Sequence, residues 1–182
     1  MLKQYIEESA RVKSELVNLL PEIEKIIAAL KETQSKGGRI YTCGNGGSAC
    51  DAMHLAEELV ARYEKERPGI AAQHLLDVGT ISCWANDYNY DSVFSRQIDT
   101  LAKAEDALIV FSTSGNSKNI NEAIKAAKSK GVRTIALLGK DGGEAKSLSD
   151  LCLIVPSDKT SHIQECHITI VHMLCESLEA DI

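Results

Sequence analysis

From residue 39 onward, short apolar runs alternate with longer stretches of helical periodicity, and few architectures accept that order. Runs at 39–43, 107–111, 132–138 and 151–155 are mostly apolar and lack regular polar alternation, and a weaker one lies at 70–76. Strands with so little polar alternation are buried on both faces. Helical patterns fall between or after them, at 48–62, 92–102, 118–130, 142–148 and about 160–179. Strands separated by helices specify an α/β fold: a three-layer α/β/α, doubly wound (Rossmann-like or flavodoxin-like) parallel sheet, here of five strands. Ligands of such sheets bind at the carboxyl ends of the strands.

Ahead of this core, Leu16, Leu20, Ile23, Ile27 and Leu30 recur at steps of three and four, the spacing of one helical face. Pro21, followed by Glu22 and Glu24, suits a helix N-terminus, so two helices are expected to meet near Leu20, the second ending at Gly37-Gly38. The chain therefore divides into a helical segment, 1–36, and an α/β core, 37–182, of one domain. No internal repeat or linker interrupts it.

At 182 residues, a chain buries about 70% of its unfolded surface without disulfides or a structural metal. The six cysteines, at 43, 50, 83, 152, 166 and 175, include no C-x-x-C spacing, so reduced thiols packed mostly as small apolar residues are expected. With 20 Lys+Arg against 26 Asp+Glu and a net charge of −6, no basic stripe is available for a nucleic-acid backbone. No apolar run approaches the roughly 18 residues of a membrane span, and a cytoplasmic location is expected.

Two strand ends carry loops able to hold an anion. The first, Cys43-Gly44-Asn45-Gly46-Gly47-Ser48, runs straight into a helix, where close backbone N–H groups and the helix dipole favour negative charge. It lacks the Lys-Ser/Thr pair of a Walker loop. Gly44-x-Gly46-x-x-Ala49 matches only a relaxed dinucleotide fingerprint, which alone is also compatible with a plain tight turn. The second, Ser112-Thr113-Ser114-Gly115-Asn116-Ser117, offers four hydroxyls at a helix start, enough to surround a phosphate monoester with neutral donors. A single such turn could be N-capping by Ser117. Two at parallel strand ends favour one phosphorylated ligand shared between them.

The run Phe111 to Ser117 resembles the phosphosugar signature of the sugar isomerase (SIS) domain. With Cys43 to Ser48, Asp51-Ala52-Met53-His54-Leu55-Ala56-Glu57-Glu58-Leu59, Asn86-Asp87, Gly139-Lys140-Asp141-Gly142-Gly143 and Ile163-Gln164-Glu165, the order and spacing resemble the phosphoheptose isomerase family over about 39–172. The resemblance implies interconversion of sedoheptulose 7-phosphate and D-glycero-D-manno-heptose 7-phosphate, the entry to bacterial heptose synthesis. It further implies a homotetramer with active sites at subunit contacts, which the apolar face of the N-terminal helices would serve.

His54 and Glu58, four apart on one helix, project into the same space and could hold a divalent cation, or form a structural pair. On the last helix, about 100° per residue puts Glu165 and His172 on one stripe, with Gln164 some 80° away. The resemblance selects Gln164 instead, giving His54, Glu58, Gln164 and His172 as the ligands of a Zn2+ ion, a nitrogen-and-oxygen donor set open to exchange. Glu165 is then a salt-bridge or interface residue, and His74, His162 and His167 pack. The resemblance also implies Glu58 as base and His172 as acid, with Asn45, Gly46, Gly47, Ser48, Asn86, Asp87 and Gln164 on the sugar chain and Ser112, Thr113, Ser114 and Ser117 on the phosphate. One departure stands next to this set: Ser161-His162 occupies the place where many relatives carry Ala-Arg or Asp-Arg. A non-catalytic SIS-domain regulator, binding a phosphosugar or a replication-initiator protein, and a dinucleotide-dependent oxidoreductase are the alternatives. Retention of the four ligands disfavours the first. The hydroxyl loop has no purpose in the second.

Overall fold

The computed structural model describes residues 1–180. Five parallel strands form one sheet in the order β2-β1-β3-β4-β5: β1 Ile40–Gly44, β2 Ala72–His74, β3 Ala107–Ser112, β4 Arg133–Gly139 and β5 Leu151–Val155. Strand order reverses direction between β1 and β3, so the crevice at their carboxyl ends is the switch point of the sheet. Gly44 pairs with Phe111 across those two strands, which sets the first glycine-rich loop beside the hydroxyl-rich one.

Successive strand residues face opposite layers, and both layers are apolar. Ile40, Ile109, Phe111, Ile135 and Leu137 join a core with α1 (Leu2–Ser14), α2 (Leu20–Ser35), α3 (Gly47–Val60) and α8 (Thr160–Glu179). Tyr41, Cys43, Leu108, Val110, Ala136 and Leu138 join the other, with α5 (Val93–Leu101), α6 (Lys118–Ser129) and α7 (Gly143–Leu148). The expected three-layer sandwich is thus present. The weak strand at 70–76 shrinks to three residues at the sheet edge, where only one neighbour pairs with it.

The N-terminal helices meet where Pro21 required, with a 3-10 turn, Glu15–Leu19, inserted before α2. Both pack on α8, as does α3. One helix was not expected from periodicity: α4, Val78–Asp87, buries no residue completely, so it lacks the apolar stripe that betrays a helix. Its start was nonetheless encoded, because the Asp77 carboxylate caps Thr80 N at 2.7 Å. Among the described residues no cysteine is paired: Cys43, Cys166 and Cys175 are buried, Cys152 is partly so, and Cys50 and Cys83 are exposed. No described helix is long and apolar enough to cross a membrane.

Candidate active site

At the β1 end the chain passes Asn45 and Gly46, the latter at φ +58°, and turns directly into α3. One face of α3 then presents His54 and Glu58, with His54 Nε2 3.2 Å from Glu58 Oε1. Glu57, one residue earlier, reaches 4.0 Å from the same nitrogen, and a ligand atom from each of His54, Glu57 and Glu58 lies within 4.8 Å of the others. From α8, the His172 ring stands edge-on to His54 with centroids 5.2 Å apart, and Tyr63 stacks on the same ring at 5.9 Å.

Gln164 joins this group from the start of α8. A groove of about 440 Å³ is lined by Gly47, Asp51, His54, Ser161, Gln164 and Ile168, among others. The Gln164 carboxamide lies so close over the first turn of α3 that a Cβ on Gly47 would sit 2.6 Å from its Nε2. Glu165, which the 100° stripe pairs with His172, borders the groove but is otherwise engaged: its two oxygens accept the Tyr5 and Ser9 hydroxyls of α1. Its partial burial raises its pKa, yet those two hydrogen bonds hold it below the ordinary carboxylate value. The row that faces α3 is Gln164, Ile168, His172, at steps of four. Such i±4 ridges run inclined to the helix axis, and a crossing helix follows the ridge rather than the strict angular stripe.

Two neighbours of this cluster were not among the candidate site residues. Buried Arg67 donates to the Glu58 carbonyl at 2.8 Å and to the Leu59 carbonyl at 2.9 Å, while its Nε meets Glu179 at 3.0 Å. Glu179 also accepts the backbone N–H groups of Glu64 and Lys65, which ties the loop after α3 to the end of α8. Asp51, on the turn before His54, is 8% exposed and its Oδ2 has no hydrogen-bond partner. Burial pushes its carboxyl up to about 6, with His54 pulling the other way.

The hydroxyl-rich loop is built to keep some of its groups free. Gly115 N donates to Ser112 Oγ at 3.1 Å, and Asn116 N to Ser114 Oγ at 3.2 Å, so those two hydroxyls shape the turn. Ser117 occupies the N-cap position of α6, but its side chain caps nothing, and the Thr113 hydroxyl likewise has no protein partner among the described residues. The capping alternative for Ser117 is therefore not realised. Gly115, at φ +64°, leaves no room for a Cβ against the Gly142 carbonyl, so the loop Gly139 to Gly143 acts as its floor. Glu144 N bonds Asn116 Oδ1 at 3.1 Å and Ala145 N bonds the Gly115 carbonyl at 2.9 Å, completing that support.

Not all candidates converge. Asn86 and Asp87 hold each other at 2.8 Å at the end of α4 and bond to none of the other candidates. Their loop reaches the site through Tyr90, whose hydroxyl donates to Asn45 Oδ1 at 3.0 Å. Ser48 is buried in the first turn of α3. His162 and His167 are buried as the packing reading expected, and His74 receives the Leu76 N–H at 3.3 Å.

Known proteins share this chain's sequence and fold. A family model described as the SIS domain matches residues 4–139. A phosphoheptose isomerase from Helicobacter pylori (strain P12) is 46% identical over 178 residues, covering 97% of this chain and 93% of its own. A phosphoheptose isomerase structure from Francisella tularensis superposes with a TM-score of 0.95 at 36% identity, covering 98% of this chain and 96% of its own. One from Neisseria gonorrhoeae gives 0.93 at 36% identity, covering 98% and 97%. The glycine loop, the hydroxyl loop and the α3–α8 cluster are thus features of a chain that belongs to the SIS-domain family, among its phosphoheptose isomerases.

Proposed function

We propose that this chain catalyses aldose–ketose isomerisation of sedoheptulose 7-phosphate to D-glycero-D-manno-heptose 7-phosphate. The observation that carries the reading is the meeting, at the sheet's switch point, of a neutral hydroxyl cradle with a His54, Glu58, His172 cluster. The cradle suits a phosphate, and the cluster can move protons a few carbons away. The hydroxyls of Ser112, Thr113, Ser114 and Ser117 hold the phosphate. Asn45, Gly46, Gly47, Ser48, Asn86, Asp87 and Gln164 contact the sugar chain between the two ends.

In the reaction, Glu58 removes a proton from C1 of the ketose while the O1 proton passes to O2. His172 delivers a proton at C2 from the other side of the resulting enediolate, so hydroxyl and carbonyl exchange carbons, and Glu58 then returns its proton to His172 through solvent before the next turnover. Each such acid or base contributes about 10²–10⁴-fold. Arg67, bonded to the Glu58 carbonyl, and Tyr63, stacked on His172, restrict the motion of the two groups.

The His54–Glu58 pair supports a zinc site, although the third ligand atom already within 4.8 Å of both belongs to Glu57, so His172 has to close in on the ion. Bonds of about 2.0–2.2 Å in a tetrahedron put ligand atoms about 3.4 Å apart, and His54 Nε2 and Glu58 Oε1 are separated by 3.2 Å. His54, Glu58, Gln164 and His172 would hold the ion. When bound it supplies a positive centre that polarises the C1 and C2 oxygens. A homotetramer with sites at subunit contacts belongs to the same proposal, but the expected face does not serve it: Leu16, Ile23 and Leu30 are buried in this chain's own core, and exposed Leu2, Ile6 and Val17 supply the apolar surface instead.

The test is conversion of sedoheptulose 7-phosphate to an aldoheptose 7-phosphate before chelation, after it, and after zinc is restored. Zinc-dependent turnover is expected. A folded protein that binds the sugar phosphate without turning it over would replace the isomerase with the regulator.

A further inference from the structure

Asn119 was not singled out by any motif, yet it is the residue through which the two loops touch. It lies in the first turn of α6, 3% exposed, and exchanges two hydrogen bonds with Asn45. Asn45 Nδ2 donates to Asn119 Oδ1 at 2.9 Å, and Asn119 Nδ2 donates back to Asn45 Oδ1 at 2.9 Å. The Tyr90 hydroxyl donates to the same Asn45 oxygen at 3.0 Å. A carboxamide oxygen accepts two hydrogen bonds and its nitrogen offers two N–H groups. Asn45 therefore has a saturated oxygen and one free N–H, and that N–H has a fixed direction.

The three partners come from three different connections of the fold, Tyr90 from the turn between α4 and α5. Asn45 belongs to the glycine loop that launches α3 with His54 and Glu58. Asn119 belongs to the helix that the hydroxyl loop starts. Tyr90 follows Asn86 and Asp87 at the end of α4. A phosphosugar lying across the site has its phosphate on one loop and its reacting carbons beside another, so the spacing between loops sets where C1 and C2 fall.

We propose that Asn119, assisted by Tyr90, is a positioning residue for the isomerisation: its paired amide contact with Asn45 locks the proton-transfer loop in register with the phosphate-gripping loop. The inference rests on the isomerase reading and adds to it a residue that touches no reacting atom. A misplacement of about 1 Å at a reacting centre costs about 100-fold in rate. Loss of the pair should thus lower kcat while leaving the phosphate grip, which uses the hydroxyls of residues 112–117 rather than the Asn119 amide, as it was.

The experiment compares the full chain with Asn119→Asp, Asn119→Ala and Tyr90→Phe. Asn119→Asp keeps the volume and the bond from Asn45 Nδ2 but sets two oxygens against each other at the second contact. For each, kcat and KM are measured with sedoheptulose 7-phosphate, inorganic phosphate is titrated as a competitive inhibitor, and thermal unfolding is followed. For both Asn119 variants kcat should fall about 10- to 100-fold with the phosphate inhibition constant within about twofold of the parent. Tyr90→Phe, at an exposed ring, should lose about 2- to 10-fold, the net value of one hydrogen bond. Unchanged kcat in Asn119→Asp and Tyr90→Phe overturns the proposal. So does a parallel loss of kcat and phosphate affinity that tracks a drop in unfolding temperature, which would make the pair a fold contact. If neither Asn119 variant folds, Tyr90→Phe decides by the same criteria. An inactive parent chain that still binds phosphate overturns the isomerase reading, and the positioning role with it; an active parent with unimpaired variants overturns the positioning role alone.

Discussion

Gly47→Ala separates the candidate site from the fold more cleanly than any change to a ligand. Gly47 opens α3, is solvent-exposed, and has no positive φ, so an alanine backbone fits there without strain. Its new methyl would stand 2.6 Å from Gln164 Nε2 and 2.8 Å from Cδ and Oε1. Ordinary contact begins at 3.4 Å, so the carboxamide must retreat by about 0.8 Å, and as the far end of a flexible side chain it can do so cheaply. Stability should change by no more than about 0.5 kcal/mol, since alanine also favours the helix slightly over glycine. Turnover should not be spared: a shift approaching 1 Å in a group on the reacting end costs about 10- to 100-fold. Displacing a ligand should weaken zinc as well, by about 10-fold or more, as displacing supporting groups does elsewhere. The assays are thermal unfolding, competitive zinc titration with a chromophoric chelator, and isomerase turnover, each also on Gln164→Ala and the double variant. The double should be no worse than Gln164→Ala alone, because both act on one carboxamide. Parental turnover and zinc affinity in Gly47→Ala would show that Gln164 has no place in the site.

Glu58→Gln keeps size and removes the base, so kcat should fall about 10²–10⁴-fold, and normal isomerisation by this variant would sink its assignment. In Gly115→Ala, a left-handed residue costs about 1–2 kcal/mol and the Gly142 carbonyl must move. Inhibition by inorganic phosphate should weaken about 10-fold, and unaltered inhibition would detach this loop from the phosphate. For pH, His167 is the informative group: burial lowers it to about 4, against the Leu138 carbonyl bond that raises it. The unfolded chain takes up a proton near pH 6.5 that the folded one refuses until about 4, so stability declines as pH falls through that window. The contribution of His167 lost at pH 5 relative to neutrality should be about 2 kcal/mol in chemical denaturation, partly offset in the parent by Asp51, whose raised carboxyl gains stability as pH falls, and it is read as the difference between the parent profile and that of His167→Gln.

The core of the fold was legible because parallel strands buried on both faces must be apolar throughout, and β1, β3, β4 and β5 all appear within a residue of the expected runs. β2 and α4 were faint for the same reason in reverse. A three-residue edge strand and a helix without a buried stripe leave little hydrophobic trace. In the site, His54 and Glu58 could be paired by spacing because they share a helix. Gln164 could not, since which α8 residue meets α3 depends on how two helices cross. Arg67, Glu179 and Asn119 were invisible because their partners lie 112, 8 or 74 residues away and only folding introduces them.

The departure at Ser161-His162 splits into two unequal halves once the helix is in place. Ser161 lines the groove with Gln164 and His54, whereas His162 is turned inward, fully buried against the edge of Tyr5 at 4.7 Å, with neither ring nitrogen bonded. Consecutive helical residues diverge by about 100°, so one change cannot serve both surroundings. At 162 this chain buries a ring against which α1 lies down on α8, with Tyr5 also bonded to Glu165 and Lys159 over its face at 4.2 Å. The histidine thus belongs to the docking of the N-terminal helix. Any effect of the pair on substrate choice has to act through Ser161, whose small hydroxyl leaves the groove open beside Gln164.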